Sequence, residues 1–240
     1  MKLKIGDRVA IYSQFGRQLA VVTSVNPELC VRYDKHPAFE IDDKLHCIVH
    51  PKQCRKLIKK EDLIFHDEYF KFVKFEGFEI QITPVTQVQW NSVMDNNPSC
   101  FKDNKNNPVE TVSWDDTQEF ISRLNRIDIN YIYNLPTEEQ WLTAAGPIPE
   151  NIHDHGWFCE NSNKTIHPVA QKKPNIYGLY DMRGNIWEWC FDKDGSNRVL
   201  RGSSWFNNAQ LCRSALRSSN APGFRVNNLG FRLLRNKYKS

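Results

Sequence analysis

The second half of the chain lacks the periodicity of regular secondary structure. From Gly146 onward, short apolar clusters alternate with Gly, Pro and Asn residues and recur with little helical period. Irregular stretches of this length are uncommon in compact domains, where most connections between elements are short. We therefore expect a fold whose second half consists of loops laid over a few strands.

Three helices are predicted upstream of this stretch, each by the same N-terminal signal. A hydroxyl side chain that can accept from the first free N–H groups is followed, three residues later, by a side chain that can reach back. The pairs are Thr86 with Gln89, Ser113 with Asp116, and Thr137 with Gln140. Apolar residues recur at helical spacing after the second and third pairs, and Gly146 provides a C-terminal stop.

The first 60 residues are typical of a small β module. Short runs rich in β-branched residues alternate with turn residues such as Gly16 and Pro27, and the first two runs resemble the opening hairpin of an SH3-like barrel. All seven tryptophans lie at or after Trp90, so the composition changes sharply along the chain. We place the module at residues 1–60, a linker or connecting strand at 61–77, and a larger domain at 78–240.

The composition is that of an ordinary soluble globular protein, with 40% hydrophobic and 25% charged residues. No apolar run approaches the ~18–20 residues that span a bilayer, and the first residues lack the apolar stretch of a signal peptide. We expect synthesis in the cytoplasm without a signal peptide, and no membrane insertion. The seven cysteines form no regular framework, which predicts reduced thiols.

Charge is distributed unevenly along the chain. Residues 1–60 carry 12 Lys and Arg against 6 Asp and Glu, and no acidic residue follows Asp194. Two interpretations stay open: simple solvation, or a preference for anionic partners. Nucleic acid is not expected as a partner, with residues 1–60 as the one exception.

Several phrases of the larger domain match one known family, in order and at about its spacing. They are PVTQ at 84–87, PVETVSWDD at 108–116, LPTEEQW at 135–141, GLYDMRGNIWEWC at 178–190, VLRGSSW at 199–205 and LGFRL at 229–233. Through these phrases the chain resembles the formylglycine-generating-enzyme, or sulfatase-modifying-factor, family. The resemblance implies an α+β fold of the C-type-lectin-like kind, loop-rich, with a small antiparallel sheet and flanking helices.

One departure from that family bears directly on function. Its copper-dependent oxidases carry two cysteines, five residues apart, just after the Gly-Gly-Ser phrase. Here the stretch from Trp205 to Leu211 has no cysteine, and only Cys212 lies nearby. A single thiol cannot form the paired soft-ligand site that Cu(I) prefers. We expect no copper and no catalytic residues, and the alternative is an enzyme of this type that uses other chemistry.

The closing region resembles the variable proteins of diversity-generating retroelements more closely. In that group a C-type-lectin domain ends in Arg-Gly-Gly-Ser-Trp, an Asn-rich stretch and Gly-Phe-Arg, and adenines in Asn codons are rewritten at surface positions. Ordinary divergence of a surface loop is the other interpretation. The resemblance implies a non-catalytic binding protein of phage or bacterial origin, with association to a virion and a protein or glycan ligand on another cell or particle. The expected contact residues are Trp205, Phe206, Asn208, Leu211, Leu216, Ser218, Ser219, Gly223, Phe224 and Val226.

A structural calcium ion is also expected. Asp181 and Glu188 flank a tight Gly-containing loop, and carboxylates with backbone carbonyls between them suit a hard, oxygen-seeking cation. The resemblance places Ca²⁺ on the side chains of Asp181 and Glu188 and the carbonyls of Gly184 and Ile186. The alternative is that Glu188 bridges locally between its tryptophan neighbours. A zinc site within residues 46–54 is disfavoured, because a strand would point its His and Cys side chains to opposite faces.

Overall fold

The computed structural model describes strands at residues 8–13, 16–24, 29–33 and 47–49, and the chain over residues 70–128, 130–210 and 216–237. The chain divides into two compact units, Met1–Glu68 and Tyr69–Ser240. None of the helices in the described part is long and apolar enough to cross a membrane.

The first unit contains a four-stranded antiparallel sheet with the strands in chain order. The strands are β1 (Arg8–Ser13), β2 (Gly16–Ser24), β3 (Leu29–Tyr33) and β4 (Cys47–Val49). The predicted opening hairpin is present, since β1 pairs with β2 from Arg8 opposite Val21 to Ser13 opposite Gly16. The His and Cys residues of the disfavoured zinc site are His46, Cys47, His50 and Cys54. Cys47 begins β4, and the other three lie outside the described residues.

The second unit contains the three predicted helices, and each begins at its predicted cap. They are α1 (Gln87–Asn91), α2 (Trp114–Ile127) and α3 (Glu138–Ala145). In all three, the hydroxyl accepts from the N3 backbone N–H and the N3 side chain accepts from the cap N–H. Gly146 ends α3 with φ +62°, a conformation that side chains disfavour.

Two four-stranded sheets complete the second unit. One has the order β5-β6-β12-β7, with β5 (Phe72–Phe75), β6 (Phe78–Gln81), β7 (Tyr131–Asn134) and β12 (Leu234–Lys237). The other has the order β10-β9-β8-β11, with β8 (Trp187–Asp194), β9 (Asn197–Arg201), β10 (Arg217–Asn220) and β11 (Leu229–Gly230). Strand β5 lies within residues 61–77. The long loop between α3 and β8, together with residues 202–210 after β9, belongs to the irregular stretch expected from the sequence.

Aromatic side chains hold helices and strands together in the main core. Trp90 stacks on Phe120 with ring centroids 5.3 Å apart, and Phe231 meets both rings edge-on. Trp189 is fully buried, and its indole N–H donates to the carbonyl of Val112, 3.0 Å away. Burying side chains of this size stabilises the domain by roughly 1.5–3 kcal/mol each. This aromatic packing therefore joins α1, α2 and β8 in one core.

Candidate functional site

The loop that follows β9 is fixed by one asparagine. The side-chain carbonyl of Asn207 accepts from the N–H and hydroxyl of Ser204, at 3.1 and 2.7 Å, and from the Trp187 indole at 3.0 Å. The backbone of Asn207 also bonds to Ser204 and Cys159. Asn228 donates to the Ser204 hydroxyl at 3.0 Å, so the same loop is tied to the segment before β11. Hydrogen bonds to buried and half-buried neighbours therefore fix the backbone of residues 204–207.

Phe206 projects from this fixed loop and is 68% exposed. Its ring meets Trp205 edge-on at 5.6 Å, and Trp205 in turn meets Phe101 edge-on at 5.8 Å. Trp205 itself is only 8% exposed and packs with Ile166 and Ile186. An exposed aromatic side chain on a rigid aromatic base is the composition of a binding hot spot. Phe101 lies about a hundred positions upstream in sequence, and no sequence pattern signalled its role.

The structure separates the other predicted contact residues into exposed and partly buried groups. Asn208, Gly223 and Phe224 are exposed, whereas Ser218 and Ser219 are half-buried on β10. Leu216 packs against the cluster of Ile152, Phe158 and Ala209, and Val226 packs against the main core. Three predicted contact residues therefore lie beneath the surface and do not project from it: Trp205, Leu216 and Val226. Each packs against an adjoining apolar cluster, where burial of its side chain is favourable. Leu211 lies outside the described residues.

Two arginines of this region are engaged in ion pairs. Arg225 makes a two-pronged contact with Asp116 at 2.7 and 2.8 Å, and that contact helps to lower the pKa of the Asp116 carboxyl despite its partial burial. Arg217 bonds to Glu138 at 2.9 Å and to Asp194 at 3.2 Å. These contacts anchor the ends of the segment 217–225 to α2, α3 and β8. The exposed aromatic residues, rather than these arginines, are the available contact groups.

The loop before β8 is held in a strained and tightly packed conformation. Asp181 and Asn185 have positive φ values of 54° and 62°, and the Asn185 side chain bonds to both backbone groups of His167. A side chain at Gly184 would place its Cβ 2.3 Å from the carbonyl oxygen of Trp157. Only glycine fits at this position, so Gly184 is required by the close approach of the two backbone segments. This requirement holds whether or not the Gly184 carbonyl binds an ion.

Asp181 is a buried carboxylate. Its oxygens accept from the N–H of Ala170 at 2.9 Å and from the Asn185 side chain at 3.4 Å. Burial is the largest influence on this group and raises its pKa to about 6. A cation beside Asp181 would offset that cost.

Glu188, the second predicted ligand, already has a cationic partner. Its carboxylate accepts from Arg232 through Nε and Nη2, both at 2.7 Å, and from the Trp141 indole at 2.7 Å. Both side chains of the Glu188–Arg232 pair are 0% exposed. The sequence interpretation did not include Arg232, although it stands in the quoted LGFRL phrase.

The two predicted carboxylate ligands are therefore not available together, because Arg232 holds the Glu188 carboxylate and only Asp181 is left without a cationic side chain bonded to it in the described part of the chain. Among the described residues, no group of three or more His, Cys, Asp or Glu side chains could hold a metal ion. Calcium at this loop stays a prediction, and any contribution from Gly184 and Ile186 would come from their backbone carbonyls.

A family comparison identifies the larger domain. Residues 65–237 match the model of the sulfatase-modifying factor enzyme 1-like domain. The chain belongs to this family. The match covers most of the Tyr69–Ser240 unit, and the fold is α+β and C-type-lectin-like, as the sequence phrases implied.

Curated relatives include enzymes and a protein described as inactive. The chain is 31% identical over 170 residues to a formylglycine-generating enzyme of Streptomyces coelicolor, covering 53% of this chain and 52% of the relative. It is 32% identical over 154 residues to the inactive C-alpha-formylglycine-generating enzyme 2 of Bos taurus, covering 52% and 49%. The chain thus spans about half the length of these relatives.

Solved structures match over a larger share of the chain. Treponema denticola variable protein 1 superposes with a TM-score of 0.61 and 26% identity, covering 91% of this chain and 95% of that one. PvdO from Pseudomonas aeruginosa gives a TM-score of 0.58 at 20% identity, covering 66% and 80%, and shows the fold alone. The 91% of this chain that is matched is more than the Tyr69–Ser240 unit alone contains.

Proposed function

We propose that this protein is a non-catalytic ligand-binding protein whose contact surface is the loop at Phe206 together with the segment 217–225. The observation that carries the proposal is the placement of Phe206, 68% exposed on a loop that Asn207 and Ser204 hold rigidly. Large exposed apolar side chains on a fixed backbone are typical of recognition sites, since little conformational freedom is lost on binding. The similarity to a Treponema variable protein supports the proposal.

The same arrangement suits a surface whose residues are exchanged. Exposed residues (Phe206, Asn208, Gly223 and Phe224) carry little of the fold's stability, whereas the residues beneath them form the hydrogen bonds that fix the loop. We infer that the exposed positions vary between copies of the gene, and that selection for folding retains Asn207 and Asn228. The ligand is a protein or glycan on another cell or particle, and the source is a phage or a bacterium.

A display experiment tests this division without a known ligand. One library randomises Phe206, Asn208, Gly223 and Phe224; the matched library randomises Trp187, Ser204, Asn207 and Asn228. Protease resistance of the displayed protein measures folding. Most members of the first library should resist protease like the parent, and most members of the second should be cleaved. Equal loss of resistance in both libraries would contradict a tolerant surface on an independent scaffold.

The rival function is that of an oxidase, favoured by the similarity to formylglycine-generating enzymes. The sequence lacks the cysteine pair at 205–211. Cys190 does not replace it, because it is buried and burial raises its thiol pKa well above the usual range, which disfavours the reactive thiolate. The aldehyde assay described in the Discussion separates the two functions.

A further inference from the structure

A cavity of about 360 Å³ opens between the end of α3 and the loop before β8, in a part of the second unit that the proposed contact surface does not use. Its walls are mainly apolar and include three prolines, Pro147, Pro149 and Pro174. Prolines fix the backbone, so this cavity is shaped before any ligand arrives. Its volume lies at the small end of the range for ligand pockets, about 300–1,000 Å³.

Exposed aliphatic side chains flank the cavity. Ile176 is 71% exposed and Ile148 is 46% exposed, and both line it. Ile176 is the most exposed large hydrophobic side chain in the described part of the chain. Leaving such groups in water is unfavourable, and clusters of them around a concavity are typical of binding sites.

The charged groups that line the cavity are basic. Lys173 and Arg183 line it, and the described lining residues include no carboxylate. The Lys173 ammonium bonds to Asp154 at 2.9 Å but has two further donors, and Arg183 donates to the carbonyl of Gly146 at 3.0 Å. His155 also lines the cavity, and its buried Nδ1 has no hydrogen-bond partner among the described residues. An acidic group entering here would meet the donors of Lys173, and the Asp154 carboxylate that pairs with Lys173 is not among the lining residues.

We propose that this cavity binds an aliphatic monocarboxylate, an anion with an apolar tail. Its alkyl tail would lie against Pro147, Ile148 and Ile176, and its carboxylate would face Lys173 and Arg183. A guanidinium and an ammonium together suit a carboxylate, which accepts from both. A second cavity of about 150 Å³ shares Ile148 and Arg183 with the first and extends to Leu216.

Calorimetric titration of the full chain with octanoate tests the proposal. Octanol and octyltrimethylammonium serve as neutral and cationic probes of the same chain length. Octanoate should bind, and the other two should bind at least roughly tenfold more weakly, which corresponds to about 1.4 kcal/mol. Equal binding of octanol would overturn the assignment of an anion, and absence of octanoate binding at millimolar concentration would overturn the site.

Paired variants locate the binding. Ile176→Glu places a negative charge at an exposed lining position and should weaken octanoate binding roughly tenfold or more. Its control, Phe191→Glu, changes an exposed aromatic residue on β8 outside the cavity and should have no effect. Lys173→Met should also weaken binding, whereas Lys193→Met should not. Unchanged affinity in Ile176→Glu would place the ligand elsewhere and refute the proposal. Phe206→Asp should bind octanoate normally, so this test is independent of the proposed contact surface.

Discussion

The buried pair of Glu188 and Arg232 provides the sharpest test of the core. Arg232→Met removes the cation and leaves Glu188 as an uncompensated carboxylate at 0% exposure. Loss of one member of a buried pair costs about 3–5 kcal/mol. The upper part of that range applies, because the guanidinium also donates to the carbonyls of Gln81 and Tyr180, at 3.1 and 3.0 Å.

Urea unfolding followed by tryptophan fluorescence measures this cost. All seven tryptophans lie at or after Trp90, so the signal reports the Tyr69–Ser240 unit. The control is Arg123→Met, which breaks surface ion pairs with Glu119 and Asp95 and should cost no more than about 1 kcal/mol. The double variant Arg232→Met, Glu188→Met should recover much of the loss, because neither member of the pair is left as an uncompensated buried charge. Equal costs for Arg232→Met and Arg123→Met would refute the argument.

Three further predictions concern pH, calcium and copper. In metal-free buffer, the raised pKa of Asp181 means that the folded state binds its proton more tightly than the unfolded state. The contribution of this group to the free energy of unfolding is therefore greatest below pH 3.8 and is lost as pH rises through about 6. Asp181→Asn should remove that pH-dependent change of about 3 kcal/mol. If urea unfolding gives the variant the same pH dependence of stability as the wild-type protein, the prediction is contradicted. Added calcium should raise the thermal unfolding midpoint of the wild-type protein but not of Asp181→Asn, because an ion that binds only the folded state stabilises it. Equal midpoints of the wild-type protein in calcium and in excess chelator would refute the predicted calcium site. With copper and a cysteine-containing sulfatase-type peptide, mass spectrometry should detect no aldehyde above background, and aldehyde formation would favour the oxidase.

Features set by neighbouring residues were predictable from the sequence. Each helix start depends on two side chains three residues apart, and all three capping boxes are present. The irregular second half was likewise predictable from its Gly, Pro and Asn punctuation. These features depend on residues close together in the chain, so the sequence alone contains the information that predicts them.

Features set by tertiary packing were not predictable. Arg232 and Glu188 stand 44 positions apart, and nothing in the pattern of either segment indicates that they meet. Trp205 and Val226 were expected to be contact residues, yet Trp205 packs beneath Phe206 and Val226 against the main core. A surface loop and a loop that covers a core have the same composition, so only the fold separates the two kinds of residue.

The proposed contact surface is tested most directly by sequencing the gene and its neighbourhood in many descendants of one clone. The account predicts a near-copy of the bases that encode residues 205–228, differing mainly at adenines and lying near a reverse transcriptase gene. Among descendants whose protein still folds, substitutions should fall on the codons of Phe206, Asn208 and Phe224. The codons of Asn207 and Asn228 also contain adenines, but changes there should be removed by selection because these side chains fix the loop. Absence of such a copy, or substitutions spread equally over the fixing asparagines, would contradict the claim that this is a displayed, exchangeable binding surface.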